Sequence, residues 1–287
     1  VSPRALGPLV AWSDKTKGSL MSLPYYIVNA FTDLPFGGNP AAVMPLDQWL
    51  PDRQLQALAA QHNLSETAFF VPVAASTFEL RWFTPVEEVP LCGHATLATA
   101  HVLLREMQVS AETLSFQTRF RGLLHAQPQG DRLTLDLPAV EYESHTVEVG
   151  LEAALGARVI SAVRPCDEPW QILYELDGET SVRTLKPNIA ALAAIAEHCV
   201  IVTAGSDQYD FVSRMFAPHY DVPEDPVTGS AHCLLTPFWS DRLAKQQLLA
   251  HQSSARGGTL WCERRDDRIF LSGHAMTFAK GTVTASL

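Results

Sequence analysis

The sequence predicts an α+β protein with two pseudo-symmetric halves, each a mostly antiparallel sheet wrapped around a central helix. Two observations predict this fold: short β-type runs recur along the chain, and one unusual segment occurs twice, about half a chain apart. The repeated segment contains a strand, an acidic loop and an apolar helix, which indicates two similar halves. We expect a pseudo-dyad to direct both helix N-termini at one cleft.

The first copy of the segment is RWFTPVEEVPLCGHATLATAHVLL, residues 81–104. A strand ends at RWF, a loop contains Glu87 and Glu88, and a helix begins at Gly93 and His94. Small and apolar residues cover nearly every side of that helix, whereas a surface helix carries a polar face. The pattern therefore predicts a helix that is buried all round.

The second copy begins with RMFAP at 214–218, which repeats RWFTP at 81–85. An acidic loop with Asp221, Glu224 and Asp225 follows, and Gly229 begins the second apolar helix. Pro237 lies inside this helix and has no backbone N–H to donate, so we expect the helix to kink or to be capped again there.

The remaining elements follow from apolar alternation, turn residues and helical spacing. In the first half, strands are expected at 25–31, 39–44, 66–71, 78–83, 113–118 and 122–127, with a helix from residue 51. In the second half, strands are expected at 132–137, 159–164, 171–175, 199–203, 211–216, 248–253, 259–263, 268–271 and 276–278, with helices at 147–155 and 187–197.

The turn-rich QPQGD at 127–131 is the expected crossing between halves. The predicted first domain is 22–130 and the second is 131–278. In an alternative assignment, residues 279–287 also belong to the first domain. Residues 1–21 are irregular and lack the apolar core of a signal peptide, so we interpret them as an extension or an expression remnant.

Composition limits the class of protein. The chain has 287 residues, 47% of them hydrophobic and only 18% charged, which is enough apolar content for a large core. An excess of 31 acidic over 21 basic residues argues against nucleic acid or an anionic membrane as a partner. There is no apolar run of membrane-spanning length. Five scattered cysteines, without a CxxC pair, favour reduced thiols and a cytoplasmic location.

Several familiar signatures are absent: GxGxxG, GxxxxGK[ST], HExxH and GxSxG do not occur. His94 and His232 stand far from any Cys/His cluster with zinc spacing, so neither a metal nor a cofactor is expected. The remaining acid/base groups lie around the two helix starts; they are Glu66, His94, Asp225, Ser230 and the thiol of Cys92.

This set suits proton transfer at carbon. Backbone N–H groups near Gly93 and Gly229 would bind and polarise a substrate carboxylate, which makes a neighbouring C–H more acidic. Glu66 begins an apolar strand and would act as the base in a water-poor cleft. His94 and Asp225 would share a proton with the substrate or hold its polar groups.

A simpler interpretation exists for each residue alone. Glu66 could be a carboxylate at the rim of the sheet, His94 a packing residue, and Asp225 a turn former before Pro226. Ser230 could serve only as a helix cap, and Cys92 could be an inert buried thiol. Their joint occurrence at both copies of one unit favours a shared site.

The motifs of this chain resemble those of the PhzF-like (phenazine biosynthesis-like) family, which has the diaminopimelate epimerase-like fold. The matching motifs are AFT at 30–32, GNPA at 38–41, LSETAF at 64–69, RWFTP at 81–85, LCGHAT at 91–96, FAP at 216–218 and EDPVTGSAH at 224–232. The resemblance implies two domains with a cleft between them, and a homodimer.

The resemblance also implies a cofactor-independent isomerase of a dihydro-hydroxyanthranilate-like acid. The proton-moving Glu of the family matches Glu66, and its His, Asp and Ser match His94, Asp225 and Ser230. Related epimerases and racemases use one cysteine per domain; Cys92 matches the first, whereas the second loop offers PVT at 226–228. Cys233 lies a turn further along.

Three functional hypotheses follow. The first is an isomerase of a small carboxylic acid with Glu66 as the base. The second is an amino-acid racemase or epimerase that works through Cys92. The third is a non-catalytic protein that binds a small acid in the cleft or a partner protein on its surface.

Overall fold

Strands dominate the chain and are joined in one continuous network of hydrogen-bonded pairs. The computed structural model describes residues 22–167 and 170–285, and these contain eighteen strands and six α-helices. The extension expected at 1–21 lies outside the described residues. Every described helix is too short or too polar to span a bilayer.

The first half runs from β1 to β9 with two α-helices. Its elements are β1 (Leu23–Ala30), β2 (Asn39–Pro45), α1 (Asp52–His62), β3 (Glu66–Ala74), β4 (Thr77–Phe83), β5 (Glu88–Val89), α2 (Gly93–His101), a π-helical turn (Val102–Glu106), β6 (Leu114–Thr118), β7 (Gly122–Gln129), β8 (Arg132–Pro138) and β9 (Tyr142–Ser144).

The second half repeats the order with additional short helices. Its elements are α3 (Leu151–Leu155), β10 (Val159–Pro165), β11 (Gln171–Leu176), α4 (Glu179–Thr184), α5 (Ile189–Ile195), β12 (Cys199–Gly205), β13 (Phe211–Ala217), a 3-10 turn (Pro218–Tyr220), β14 (Val222–Asp225), α6 (Gly229–Leu243), β15 (Gln247–Gln252), β16 (Gly258–Arg265), β17 (Arg268–Gly273) and β18 (Ala275–Val283).

The two halves share their strand pairing. The β2–β3 and β4–β6 pairs are parallel in the first half, and β11–β12 and β13–β15 are parallel in the second. The other pairs are antiparallel, which confirms the predicted mostly antiparallel α+β fold.

A matching ion pair closes the acidic loop of each half. Arg81 donates from Nε and one terminal nitrogen to Glu88 at 2.8 and 2.7 Å, and Arg214 does the same to Glu224 at 2.7 and 2.9 Å. Bidentate pairs of this kind fix direction as well as distance. The repeated RWF and RMF motifs therefore orient equivalent loops towards the starts of α2 and α6.

The halves also exchange their last strands. β9 is the last strand of the first half but pairs with β10, and β18 is the last strand of the second half but pairs with β1. β8 and β17 pair directly with each other. The strand expected at 276–278 is therefore the long β18, which returns to the first half. Gly130 lies in the β7–β8 hairpin, and the domain boundary at 130 stays a prediction.

The helix α2 is buried over its first eight residues, as predicted. Its two threonines fit the core because each hydroxyl donates to the carbonyl four residues earlier, Thr96 to Cys92 at 2.6 Å and Thr99 to Ala95 at 2.8 Å. A buried hydroxyl that has such a partner avoids most of its desolvation cost. α2 and α6 contribute to one shared core cluster.

The prediction that α6 is capped again at Pro237 is wrong, because the helix continues from Gly229 to Leu243. Pro237 cannot donate to the carbonyl of Cys233 four residues earlier. The backbone N–H of Val140 donates to that carbonyl instead, at 3.0 Å. A connecting segment distant in sequence thus satisfies the group that the proline leaves without its helical partner.

Candidate active site

The two buried helices begin against each other at glycines. A Cβ placed on Gly93 would lie 3.1 Å from the Cα of Gly229, and the reverse distance is the same. A side chain at either position would push the helix starts apart, so this approach requires glycine. The N-termini of α2 and α6 therefore meet where the two halves join, as the duplicated motif predicted.

Glu66 and His94 come together beside this junction. Glu66 is the first residue of β3, His94 is the second residue of α2, and His94 Nε2 lies 3.1 Å from Glu66 Oε2. His94 is buried, whereas the Glu66 side chain keeps 19% of its surface exposed. A carboxylate with one side on a histidine and a partly open surface can accept a proton from a bound molecule.

Asn39, the first residue of β2, links the two halves at this point. Its amide nitrogen lies 3.1 Å from His94 Nδ1, 2.8 Å from Asp225 Oδ1 and 2.9 Å from the carbonyl oxygen of Val227. The motif around Asn39 was recognised in the sequence, but the residue was given no role. The sequence shows only a polar residue at the start of an apolar strand, and the complete burial of its amide is seen only in the fold.

Asp225 ends β14 and brings a second carboxylate to the site. It accepts hydrogen bonds from Asn39 and from the hydroxyl of Thr228. Burial, together with the charge of Glu66, raises the pKa of Asp225 to about 6, although His94 and these hydrogen bonds act in the opposite direction. Asp225 can therefore carry a proton close to neutral pH.

Gln252 supports the loop that carries Asp225, a role that the sequence analysis missed. Its side chain donates to the backbone oxygen of Asp225 at 2.8 Å and accepts from the N–H of Thr228 at 2.9 Å. It lies at the end of β15, and only the fold reveals its proximity. Ser230 is the half-buried second residue of α6 and takes no part in these hydrogen bonds.

Cys92 is the N-cap of α2, and its sulfur lies 3.5 Å from His94 Nδ1. Burial, reinforced by the charge of Glu66, raises the pKa of the Cys92 thiol to about 11. The group is therefore an uncharged thiol at neutral pH, and a thiol is a far weaker nucleophile and base than a thiolate.

The charge state of His94 is under opposing influences. Burial disfavours the charged ring, but its neighbours outweigh burial and raise the pKa of His94 above the ordinary value. Because Cys92 stays uncharged, we attribute the raised pKa of His94 to the carboxylate of Glu66. The N–H of Asn39 acts the other way, since a donor at Nδ1 favours the neutral ring.

Glu66, Cys92 and His94 also form the one group within the described ranges that could offer three metal-ligand atoms, all within 4.8 Å of one another. In the geometry observed, His94 is the direct partner of the other two side chains. A metal would have to separate these contacts. The expectation of a metal-free site stays a prediction.

The site is asymmetric although its scaffold is duplicated. Equivalent positions in the two halves can be found from strand register and from the helix starts. Glu66 lies three residues before the strand partner of Arg81, and Cys199 lies three residues before the strand partner of Arg214, so these two positions are equivalent. His94 and Ser230 are equivalent because each is the second residue of its helix. The N-caps match Cys92 with Thr228. The second half therefore has a hydroxyl where a two-thiol racemase would need its second thiol. Cys233, buried one turn further, faces the carbonyl of Gly229 at 3.7 Å.

Comparisons with known proteins agree with this architecture. The family model described as "Phenazine biosynthesis-like protein" (PhzC-PhzF) matches residues 28–281. An uncharacterized isomerase of Pseudomonas aeruginosa is 48% identical over 269 residues, which is 93% of this chain and 100% of that protein.

Solved structures share the fold. A PhzF family protein from Enterococcus faecalis matches with a TM-score of 0.87 and 44% identity over 92% of this chain and 99% of that one. A hydroxyproline epimerase from Agrobacterium vitis, with a TM-score of 0.60 and 11% identity over 93% of each chain, shares the fold alone. The chain belongs to the phenazine biosynthesis-like PhzC-PhzF family and has its epimerase-like α+β fold.

Proposed function

We propose that this protein is a cofactor-independent isomerase that moves a proton between carbons of a small carboxylic acid. One observation carries the proposal: Glu66 Oε2 lies 3.1 Å from His94 Nε2 beside the point where two buried helices begin. An acid/base pair and a site suited to anions are thus adjacent.

The helix starts supply the binding part of the proposal. Free N–H groups and the positive end of the helix dipole favour a carboxylate at a helix N-terminus. Two such termini meet at Gly93 and Gly229. Ser230, in the first turn of α6, is placed to donate to the same carboxylate.

Proton transfer then uses groups already in contact. The Glu66 carboxylate removes a proton from one carbon, and the electron pair of the broken C–H bond is delocalised towards the bound carboxylate. The proton on Glu66 forms the new C–H bond at another carbon; alternatively the His94 imidazolium donates its Nε2 proton and then takes up the proton held by Glu66. The composition of the substrate and the protonation of the enzyme are both unchanged. Asp225 holds a polar substituent of the substrate and, with a pKa of about 6, can donate to it.

Family membership narrows the proposed substrate class further than the geometry of the site does. Family membership supports a cyclic acid similar to a dihydro-hydroxyanthranilate, in which conjugation stabilises the transient carbanion. The named relatives include an isomerase, which supports the reaction class. A direct assay identifies the protein's own substrate and, through it, the pathway.

The test is incorporation of solvent deuterium into a panel of small cyclic acids and amino acids, followed by NMR and mass spectrometry. We expect one compound to gain deuterium at carbon, with its double bond moved to a new position. Binding detected by calorimetry without label in any compound would instead favour the non-catalytic small-acid binding protein.

The racemase alternative has less support. A two-base racemase needs an acid/base group on each side of the substrate carbon, and Thr228 stands where the second thiol would be required. The single thiol, Cys92, has a pKa of about 11. Label that enters the α-carbon of an amino acid, and its loss after alkylation of Cys92, would reverse this preference.

A further inference from the structure

We propose that Asn39 is a positioning residue that holds His94 in the tautomer with its hydrogen on Nε2, the ring nitrogen that lies 3.1 Å from Glu66 Oε2. The catalytic meaning of the assignment rests on the proposed function, whereas the tautomer itself can be measured without a substrate. Asn39 has no acid/base chemistry of its own, so its contribution lies in the hydrogen bonds that it makes.

The orientation of the Asn39 amide follows from its surroundings. The side chain is fully buried, and Nδ2 lies 2.9 Å from the carbonyl oxygen of Val227 and 2.8 Å from Asp225 Oδ1. A backbone carbonyl can only accept a hydrogen bond. Rotating the amide by half a turn would put Oδ1 against this oxygen. The opposite end of the amide accepts a hydrogen bond from the hydroxyl of Ser65 at 3.4 Å, which is consistent with the same orientation.

With the amide fixed, the hydrogen on the imidazole follows. Asn39 Nδ2 lies 3.1 Å from His94 Nδ1, and an amide nitrogen is a donor without a lone pair available to accept. Nδ2 has two hydrogens for three neighbouring atoms, Asp225 Oδ1, Val227 O and His94 Nδ1, so Nδ1 at most shares one of them. A hydrogen on Nδ1 would nevertheless face a nitrogen that cannot accept it. The uncharged thiol of Cys92, 3.5 Å from Nδ1, is a second possible donor to the same atom. Nδ1 is the acceptor, and Nε2 carries the hydrogen.

This tautomer directs the hydrogen to the group that moves protons. Nε2 lies 3.1 Å from Glu66 Oε2, so the hydrogen is carried by the ring nitrogen nearest to this carboxylate. The other hydrogen bonds of Asn39 go to Asp225 and Val227, both in the second half. Contacts from both halves thus set the orientation of the acid/base pair.

The experiment is long-range ¹H–¹⁵N NMR of protein labelled with ¹⁵N-histidine, with the His94 signals identified by their loss in His94→Gln. Above the titration midpoint of His94, we expect a pyrrole-type Nε2 and a pyridine-type Nδ1 in the wild type. In Asn39→Ala the preference is lost, and the midpoint rises, because the amide nitrogen that opposes a hydrogen on Nδ1 has gone.

Ser65→Ala is the matched control, because it removes the partner at the other end of the Asn39 amide and leaves Nδ2 in place. It should keep the wild-type pattern. A pyrrole-type Nδ1 in the wild type would overturn the proposal, even if Asn39→Ala does not fold. An Asn39→Ala spectrum and midpoint equal to those of the wild type would also overturn it. Neither readout depends on deuterium incorporation, so a failure of the proposed function is distinguishable from a failure of this assignment.

Discussion

Two carboxylates occupy one cleft but have different surroundings. Glu66 faces a histidine nitrogen, whereas Asp225 accepts hydrogen bonds from an amide and a hydroxyl. Residues that share a site and differ in this way commonly have different roles in proton transfer. Glu66 is suited to remove a proton from carbon, and Asp225 is suited to hold or donate one.

Asp225 should make stability depend on pH. Its pKa in the folded protein, about 6, lies above the reference value of 3.8, so the stabilising effect of protonation is fully present below about pH 4. It is lost as the pH rises through about 6. Asp225→Asn is always neutral and should gain stability over the wild type across this interval, by up to about 3 kcal/mol.

Urea unfolding at pH 4, 5, 6 and 7 measures this difference. Asp131→Asn, at a side chain that is 81% exposed, serves as the control, and its stability difference from the wild type should show little dependence on pH. A stability difference between Asp225→Asn and the wild type that stays constant over the range would contradict the account.

Cys92 should be dispensable for proton transfer. Because its thiol has a pKa of about 11 and no second thiol stands at Thr228, Cys92→Ala should retain deuterium incorporation within about tenfold of the wild type. Cys233→Ala, which removes a buried thiol from α6, controls for the loss of packing. A loss of a thousandfold or more in Cys92→Ala alone would indicate a catalytic thiol.

At the scale of elements, the junction of α2 and α6 depends on its glycines. Gly93→Ala would place a methyl group 3.1 Å from the Cα of Gly229, so the backbones must separate. Overpacking of this kind costs about 1–3 kcal/mol. We expect a lower free energy of unfolding and reduced deuterium incorporation in Gly93→Ala.

Gly178→Ala is the matched control, because a Cβ there would have no atom within 4 Å. Urea unfolding of both variants measures the effect. Equal stability in Gly93→Ala and Gly178→Ala would mean that the helix starts are not held in close contact.

Local patterns were sufficient to predict most elements of this fold. The two buried helices, the acidic loops and the strands around them carry short-range signals such as apolar alternation and glycine at a helix start. Glu66, His94 and Asp225 were found because they lie within those repeated signals. Elements with few residues, such as β5 and β14, have too little periodicity to be recognised.

Contacts between distant segments could not be predicted in the same way. Asn39 meets His94 and Asp225 only after both halves have folded, and Gln252 reaches Asp225 from the end of β15. Pro237 appeared to interrupt α6 because the donor that replaces its missing N–H, Val140, lies in a different segment. Partners of this kind depend on tertiary proximity, which a single sequence does not display.

At the scale of the whole molecule, the exchanged strands join the two halves. β9 and β18 each pair with the first strand of the opposite half. The homodimer expected from the family resemblance stays a prediction. Light scattering after size-exclusion chromatography should give twice the chain mass of 31.5 kDa, whereas a single chain mass at all concentrations would contradict it.

The most direct measurement of the central claim compares deuterium incorporation by the wild type, Glu66→Gln and the exposed control Glu112→Gln, after circular dichroism has shown that all three fold. We predict that Glu66→Gln loses at least a thousandfold in the rate of label entry into the substrate, because no carboxylate remains beside His94 Nε2. Glu112→Gln should match the wild type. Label that enters at the wild-type rate in Glu66→Gln would show that another group removes the proton and would contradict the account.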